Sequence, residues 1–248
     1  MRLLCVTDVH YHLPQMDWVL EHAGEFDLVV LSGDHLQVGG RSELGVQVVV
    51  ITTYLDRVSR STTVVASSGN HDLDGPGDHG EQQAGWLARA AGPSLYVDGQ
   101  SLDRDGVRVT VCPWWDGPQT RTLVERQLAA AATDRPALWV WVYHSPPAGT
   151  RLCTTGSRQF PDPDLAEWIE RWRPDIVICG HIHQAPWVDG GGWNDRLGPT
   201  WVFNAGHQLG AVPSHIVIDL ERRSAAWSGV PEFEQIDLSA SPDRSPSG

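Results

Sequence analysis

The chain has 248 residues, 41% of them hydrophobic and 20% charged, long enough to bury a core without disulfides or a structural metal. Its formal charge of -13 argues against non-specific nucleic-acid binding, which depends on phosphate neutralisation by an excess of Lys and Arg. The four cysteines, Cys5, Cys112, Cys153 and Cys179, form no CxxC pair and suggest reduced thiols in a cytoplasmic protein. The longest apolar stretch falls far below the roughly 20 residues of a membrane span, and Met1–Val6 is too short for a signal peptide, so neither export nor a membrane anchor is expected.

The apolar run at residues 2–7 predicts a buried strand, and Asp8-Val9-His10 follows it. A helix is expected at about 15–23, then a strand at 26–31 closed by Ser32-Gly33-Asp34-His35. A long helix at about 43–60 leads to a third strand at 63–66, which runs into Ser68-Gly69-Asn70-His71-Asp72. Strand, polar cluster, helix and next strand form the βαβ pattern of an α/β sheet, whose ligands bind outside the carboxyl ends of the strands.

Further on, a helix is expected at about 82–91, β segments at 95–97 and 107–112, and a loop at Pro113-Trp114-Trp115-Asp116-Gly117-Pro118, where two prolines and a glycine oppose regular structure. A helix at about 122–133 precedes a strand at 137–143 that ends in His144-Ser145-Pro146-Pro147. A helix at about 164–173 precedes a strand at 175–179 that ends in Gly180-His181-Ile182-His183. Strands at 200–204 and 215–220 follow, with 224–227 returning as a hairpin. One domain over 1–238 is expected, with a disordered Ser/Pro-rich tail at 239–248.

The strand ends collect Asp8, His10, Asp34, Asn70, His71, His144, His181 and His183. Carboxylates, an amide and imidazoles make a mixed oxygen and nitrogen set, suited to Mn, Fe or Zn and too rich in nitrogen for a dedicated Ca or Mg site. The set is too large for one ion, and two ions bridged by a carboxylate, about 3.5–4 Å apart, would use it fully. Such a pair would give an acidic protein a cationic pocket for phosphate.

In this order, Asp-x-His, Gly-Asp, Gly-Asn-His-Asp, His before a proline pair, and Gly-His-x-His resemble the calcineurin-like metallophosphoesterases, over nearly the whole chain. The resemblance implies an α/β fold, a four-layer α/β/β/α sandwich of two mixed sheets flanked by helices. It implies two divalent metal ions, the first held by Asp8, His10 and His183, the second by Asn70, His144 and His181, with Asp34 bridging. His71 would be the proton donor to the leaving group, with Asp72 orienting it and supporting its charged form, and a metal-bridging hydroxide would be the nucleophile. The expected activity is phosphodiester hydrolysis on a nucleotide or another small phosphodiester. A phosphomonoesterase and a non-catalytic binding scaffold are the alternatives.

Other residues carry two readings each. Trp114 and Trp115 either stack on an aromatic or sugar part of the substrate or pack the sheet edge. Arg151 and Arg158 either hold an anionic group or are solvated loop arginines. Asn204-Ala205-Gly206-His207 resembles a turn found in relatives, and His207 either approaches the metals or substrate or simply shapes that turn.

Overall fold

A computed structural model of the protein describes residues 1–78, 80–229 and 231–239; the rest of the predicted tail, 240–248, lies outside the described residues. The first third contains β1 (Arg2–Val6), α1 (Leu13–His22), β2 (Leu28–Ser32), α2 (Leu44–Ser59), β3 (Thr63–Ser67), a small hairpin of β4 (Gly75–Pro76) and β5 (Gln82–Gln83), and α3 (Gly85–Ala90). Then come β6 (Leu95–Val97), β7 (Ser101–Arg104), β8 (Val107–Val111), α4 (Pro118–Ala132), β9 (Leu138–Val142), α5 (Pro163–Trp172) and β10 (Ile176–Cys179). The chain closes with β11 (Asn194–Leu197), β12 (Thr200–Asn204), β13 (His215–Asp219), β14 (Ser224–Ser228) and β15 (Phe233–Asp237).

Alternation along single strands explains the layers. Leu3 and Cys5 of β1, with Leu28 and Val30 of β2, enter an apolar cluster shared with Val140, Val142, Ile176 and Ile178 of β9 and β10. Their neighbours Leu4, Val6, Val29 and Leu31 face the other way, onto Met16 and Val19 of α1 and Ile51, Leu55 and Val58 of α2. Trp139, Trp141 and Val177 likewise turn away from the shared cluster, onto Val124 and Leu128 of α4 and Leu165, Trp168 and Ile169 of α5. Side chains alternate across a strand, so strands covered on both faces read as uninterrupted apolar runs. Each such side chain contributes about 1.5–3 kcal/mol when fully buried, which favours the four-layer α/β/β/α sandwich.

The first sheet has the order β15-β14-β13-β1-β2-β3-β6 and the second β11-β12-β10-β9-β8-β7. β1, β2, β3 and β6 are parallel, as are β8, β9, β10 and β12, while β7, β11 and β13 pair antiparallel with their neighbours. The carboxyl ends of the two parallel sets meet, as the hydrogen bond from Ser32 Oγ to the Cys179 carbonyl at 2.9 Å records. No helix among the described residues is long and apolar enough to cross a membrane.

Several expectations need correction. The helix expected at 82–91 is only Gly85–Ala90, because Gln82 and Gln83 pair with the β4 strand. Pro118 opens α4 rather than ending a loop, since the first turn of a helix tolerates a residue without an N–H. β7, β11 and β15 add to the expected strands: all three are edge strands, and their exposed or half-buried residues lack an apolar alternation.

Candidate metal centre

The polar motifs lie where parallel strands end: Asp8 and His10 after β1, Asp34 after β2, Asn70 and His71 after β3, His144 after β9, His181 and His183 after β10. The backbone turns sharply there, with φ of 54° at Asp8, 44° at His10, 53° at Asp34 and 69° at His181. This left-handed region is uncommon outside glycine and persists where the surroundings over-determine it. Two glycines supply the room. A Cβ on Gly69 would collide with Asp34 Oδ1 and lie 2.7 Å from His144 Nε2. One on Gly180 would collide with Thr7 Oγ1 and lie 2.7 Å from Asp8 Oδ2.

Donor atoms of Asp8, His10, Asp34 and His183 lie within 4.8 Å of one another, as do those of Asp34, His144 and His181. Asp34 belongs to both groups. Its Oδ2 is 3.3 Å from His144 Nε2 and 3.7 Å from His10 Nε2, while its Oδ1 accepts the His71 backbone N–H at 2.9 Å. His183 Nε2 stands 3.3 Å from Asp8 Oδ1 and 2.9 Å from His10 Nε2. His144 Nδ1 donates to the Ser32 carbonyl at 2.7 Å, which leaves Nε2 as the nitrogen that can bind a metal. His144 Nε2 and Asn70 Oδ1 are buried and have no hydrogen-bond partner among the described residues. An unsatisfied buried polar atom costs about 1–3 kcal/mol, and a cation at the centre would remove that cost at both atoms. The residues therefore fit a metal, and their mixed oxygen and nitrogen donors suit Mn, Fe or Zn.

Charge is concentrated unevenly. Burial alone would raise the Asp8 carboxyl, but the hydrogen bond from His183 and the charge of His144 outweigh it, and its pKa is lowered. Burial opposes ionisation of Asp34 too, and His144 again prevails, lowering its pKa. His144 shows the reciprocal effect: burial would lower its pKa, yet Asp34 and Asp8 raise it to about 10. Burial dominates at His10 and His181, whose pKa values fall to about 4, so both rings are neutral at pH 7.

His71 stands at the rim, its ring centroid 4.7 Å from that of His10. The Val38 N–H donates to its Nδ1 at 3.3 Å. Asp72 makes its hydrogen bonds to the backbone rather than to the His71 ring. Its buried carboxylate accepts backbone N–H groups from Gly69 at 2.8 Å, His35 at 2.8 Å and Leu36 at 3.0 Å, so it ties the turn after β3 to the turn after β2. His35 is buried and points its Nε2 at the Ser67 carbonyl, away from the cluster.

The structure separates the two tryptophans. The Trp114 ring lies 5.8 Å from His144 and 5.4 Å from His181, whereas Trp115 donates to the Tyr143 hydroxyl at 2.8 Å and packs with the α4–α5 cluster. Trp115 is thus a packing residue. Arg151 is committed elsewhere, its Nε donating to the Asn194 carbonyl at 2.8 Å and its backbone N–H to Asp195 at 2.7 Å. Arg158 is exposed on a turn, where its carbonyl accepts from Thr155. His207 does reach the cluster, 5.1 Å from His183 and 5.5 Å from His10 between ring centroids. Asn204 holds the Gly-His-x-His turn by donating to the Gly180 and Ile182 carbonyls at 3.2 and 3.0 Å. Thr7, Ser32 and Val38, which contact Asp8, His144 and His71, escape a reading of the sequence: two of the three act through ordinary backbone atoms, which leave no mark in it.

A family model described as calcineurin-like phosphoesterase matches residues 1–185. The chain belongs to the calcineurin-like phosphoesterase family. Among solved structures, the protein TT1561 of Thermus thermophilus superposes with a TM-score of 0.59 at 14% identity, covering 96% of this chain and 98% of that one. Purple acid phosphatase PPD1 from yellow lupin (Lupinus luteus) seeds gives 0.59 at 14% identity, covering 96% of this chain and 52% of the lupin enzyme, so the chain spans about half of that phosphatase. At such identities these likenesses concern the fold. No curated protein matches the chain in sequence. Membership of the calcineurin-like phosphoesterases brings metal-dependent phosphoester hydrolysis as the general chemistry, and the His/Asp clusters are residues that could hold the metal.

Proposed function

We propose that the protein is a phosphodiesterase acting on a nucleotide or another small phosphodiester, using two divalent ions of the Mn, Fe or Zn type, in one domain spanning 1–238. The observation that carries this reading is Asp34, the carboxylate common to both donor clusters. Asp8, His10 and His183 would hold the first ion and Asn70, His144 and His181 the second, with Asp34 between them. Bound there, such ions lower the pKa of water to about 7 and offset the charge that develops on phosphoryl oxygens.

The chain's own groups supply the remaining chemistry. Val38 N–H donates to His71 Nδ1, which leaves Nε2 as the nitrogen that can face the leaving-group oxygen, where the imidazolium form of His71 would give up its proton and be left as the neutral ring. Asp72 contributes by holding the turn that carries His71, through backbone N–H groups on both sides. His207 and Trp114 flank the phosphate. The preference for a diester is supported by Arg151, a candidate clamp for the extra charge of a monoester, whose guanidinium is bonded to Asn194. Four buried, unpaired cysteines suit a cytoplasmic location.

Metal analysis of the purified protein, with assays on bis-p-nitrophenyl phosphate and p-nitrophenyl phosphate, tests the reading. We expect two ions per chain and preferential cleavage of the diester. Preference for the monoester would make the protein a phosphomonoesterase, and two bound ions without hydrolysis of either compound would make it a binding scaffold.

A further inference from the structure

A long groove opens beside Trp114, between α3 and α4, where the second sheet ends in edge strand β7. Its volume is about 820 Å³, within the range of small-molecule sites. α4 forms one wall from Thr120 to Ala130, a length of about 15 Å at the helical rise per residue. Leu123 keeps 43% of its surface exposed on this wall, and Ala88 of α3 also lines the groove. Trp114 is common to the groove and the surroundings of the metal centre: it lines the groove, and its ring centroid lies 5.4 Å from that of His181.

The lining is mixed: Asp98, Asp103, Arg108 and Asp134 lie on it, and α4 adds Arg126 and Gln127 beside Leu123. Arg126 lines the groove and makes no hydrogen bond or ion pair among the described residues, in a chain of net charge -13. Gln127 is fixed by donation from its amide nitrogen to the Val111 carbonyl at 2.9 Å, which leaves its Oε1 as an acceptor. An indole, the apolar side chains of Leu123 and Ala88, and a donor beside an acceptor match a heterocyclic base, which offers a flat apolar face and a polar edge. A plain alkyl chain would fill the same space without using either polar group.

We propose that the groove receives the nucleoside arm of a phosphodiester whose phosphate sits at the metal centre, an assignment that rests on the phosphodiesterase reading. Trp114 stacks on the arm as it leaves the phosphate, Leu123 and Ala88 exclude water from it, and Arg126 and Gln127 bond to the edge of the base.

Two p-nitrophenyl diesters with a common leaving group test this: the thymidine 5′-phosphate ester and the methyl phosphate ester. In the metal-loaded wild type, kcat/KM should favour the nucleoside ester by about tenfold or more. Ala130→Trp and Ala88→Trp fill the groove from α4 and from α3, at exposed positions, and should bring that ratio close to one. No preference in the wild type, or an unchanged ratio in both variants, overturns the proposal. If neither ester is hydrolysed, the phosphodiesterase reading fails on its own, and equilibrium dialysis of thymidine 5′-methyl phosphate decides the groove. Retention by the wild type that both variants lose supports the groove, and no retention, or equal retention by all three proteins, overturns it.

Discussion

The two donor clusters share Asp34 but meet solvent differently. In the one containing Asp8, His10 and His183, the His183 side chain is 32% exposed, whereas the His144 side chain of the other is fully buried. His144 is also held from behind by the Ser32 carbonyl, while His10 Nδ1 has no partner among the described residues. The difference suggests a division of labour within one centre. On the proposed two-ion reading, the side with the buried His144, its tautomer fixed, and the orphaned Asn70 oxygen would retain its ion more firmly, and the side of the partly exposed His183 would exchange its ion more readily.

The largest expected effect comes from removing what the clusters share. Asp34→Asn should lower metal content on both sides and reduce hydrolysis by about 10³-fold, measured by metal analysis and steady-state kinetics. Breaking one side at a time sharpens the comparison. His144→Ala should lose one ion even with metal in excess, whereas His183→Ala should recover full occupancy when metal is added, with activity reduced by about 10²-fold. Calorimetric titration with Mn distinguishes the two, and equal behaviour would erase the proposed division.

Smaller effects should follow from packing and protonation. Gly69→Ala places a methyl group against Asp34 and His144, and urea unfolding should show a loss of about 1–3 kcal/mol. In metal-free protein, the raised pKa of His144 means that its charged form stabilises the fold fully below the ordinary value near 6.5, and this contribution is lost as pH rises through about 10. His10 and His181 act in the opposite direction. Their folded pKa values of about 4 let the unfolded chain bind protons first, so stability falls as pH drops from about 6.5 towards 4. Unfolding in chelator across this range should therefore show losses at both ends, and metal loading at neutral pH should release protons into a weakly buffered solution.

The sequence made the centre of the molecule legible and its margins obscure, for one physical reason. β1, β2, β9 and β10 are covered on both faces and advertise themselves as apolar runs, and the polar motifs follow directly at their ends. β7 has only Leu102 fully turned inward, and β15 is exposed along most of its length, so neither carries a pattern. The same contrast holds within the site. His and Asp metal donors announce themselves by residue type, but the partners of Asp72 are backbone N–H groups, so its tie between two turns leaves no mark in the sequence. Adjacent Trp114 and Trp115 cannot be told apart until the fold places one beside His181 and the other against Tyr143.

Electron paramagnetic resonance of the manganese-loaded protein tests the central claim most directly, because it reports whether two ions share a ligand. Two ions per chain with an exchange-coupled spectrum, collapsing to signals of isolated ions or to no bound metal in Asp34→Asn, is the predicted result. A single ion per chain, or two ions whose spectra are uncoupled in the wild type, would contradict the shared carboxylate.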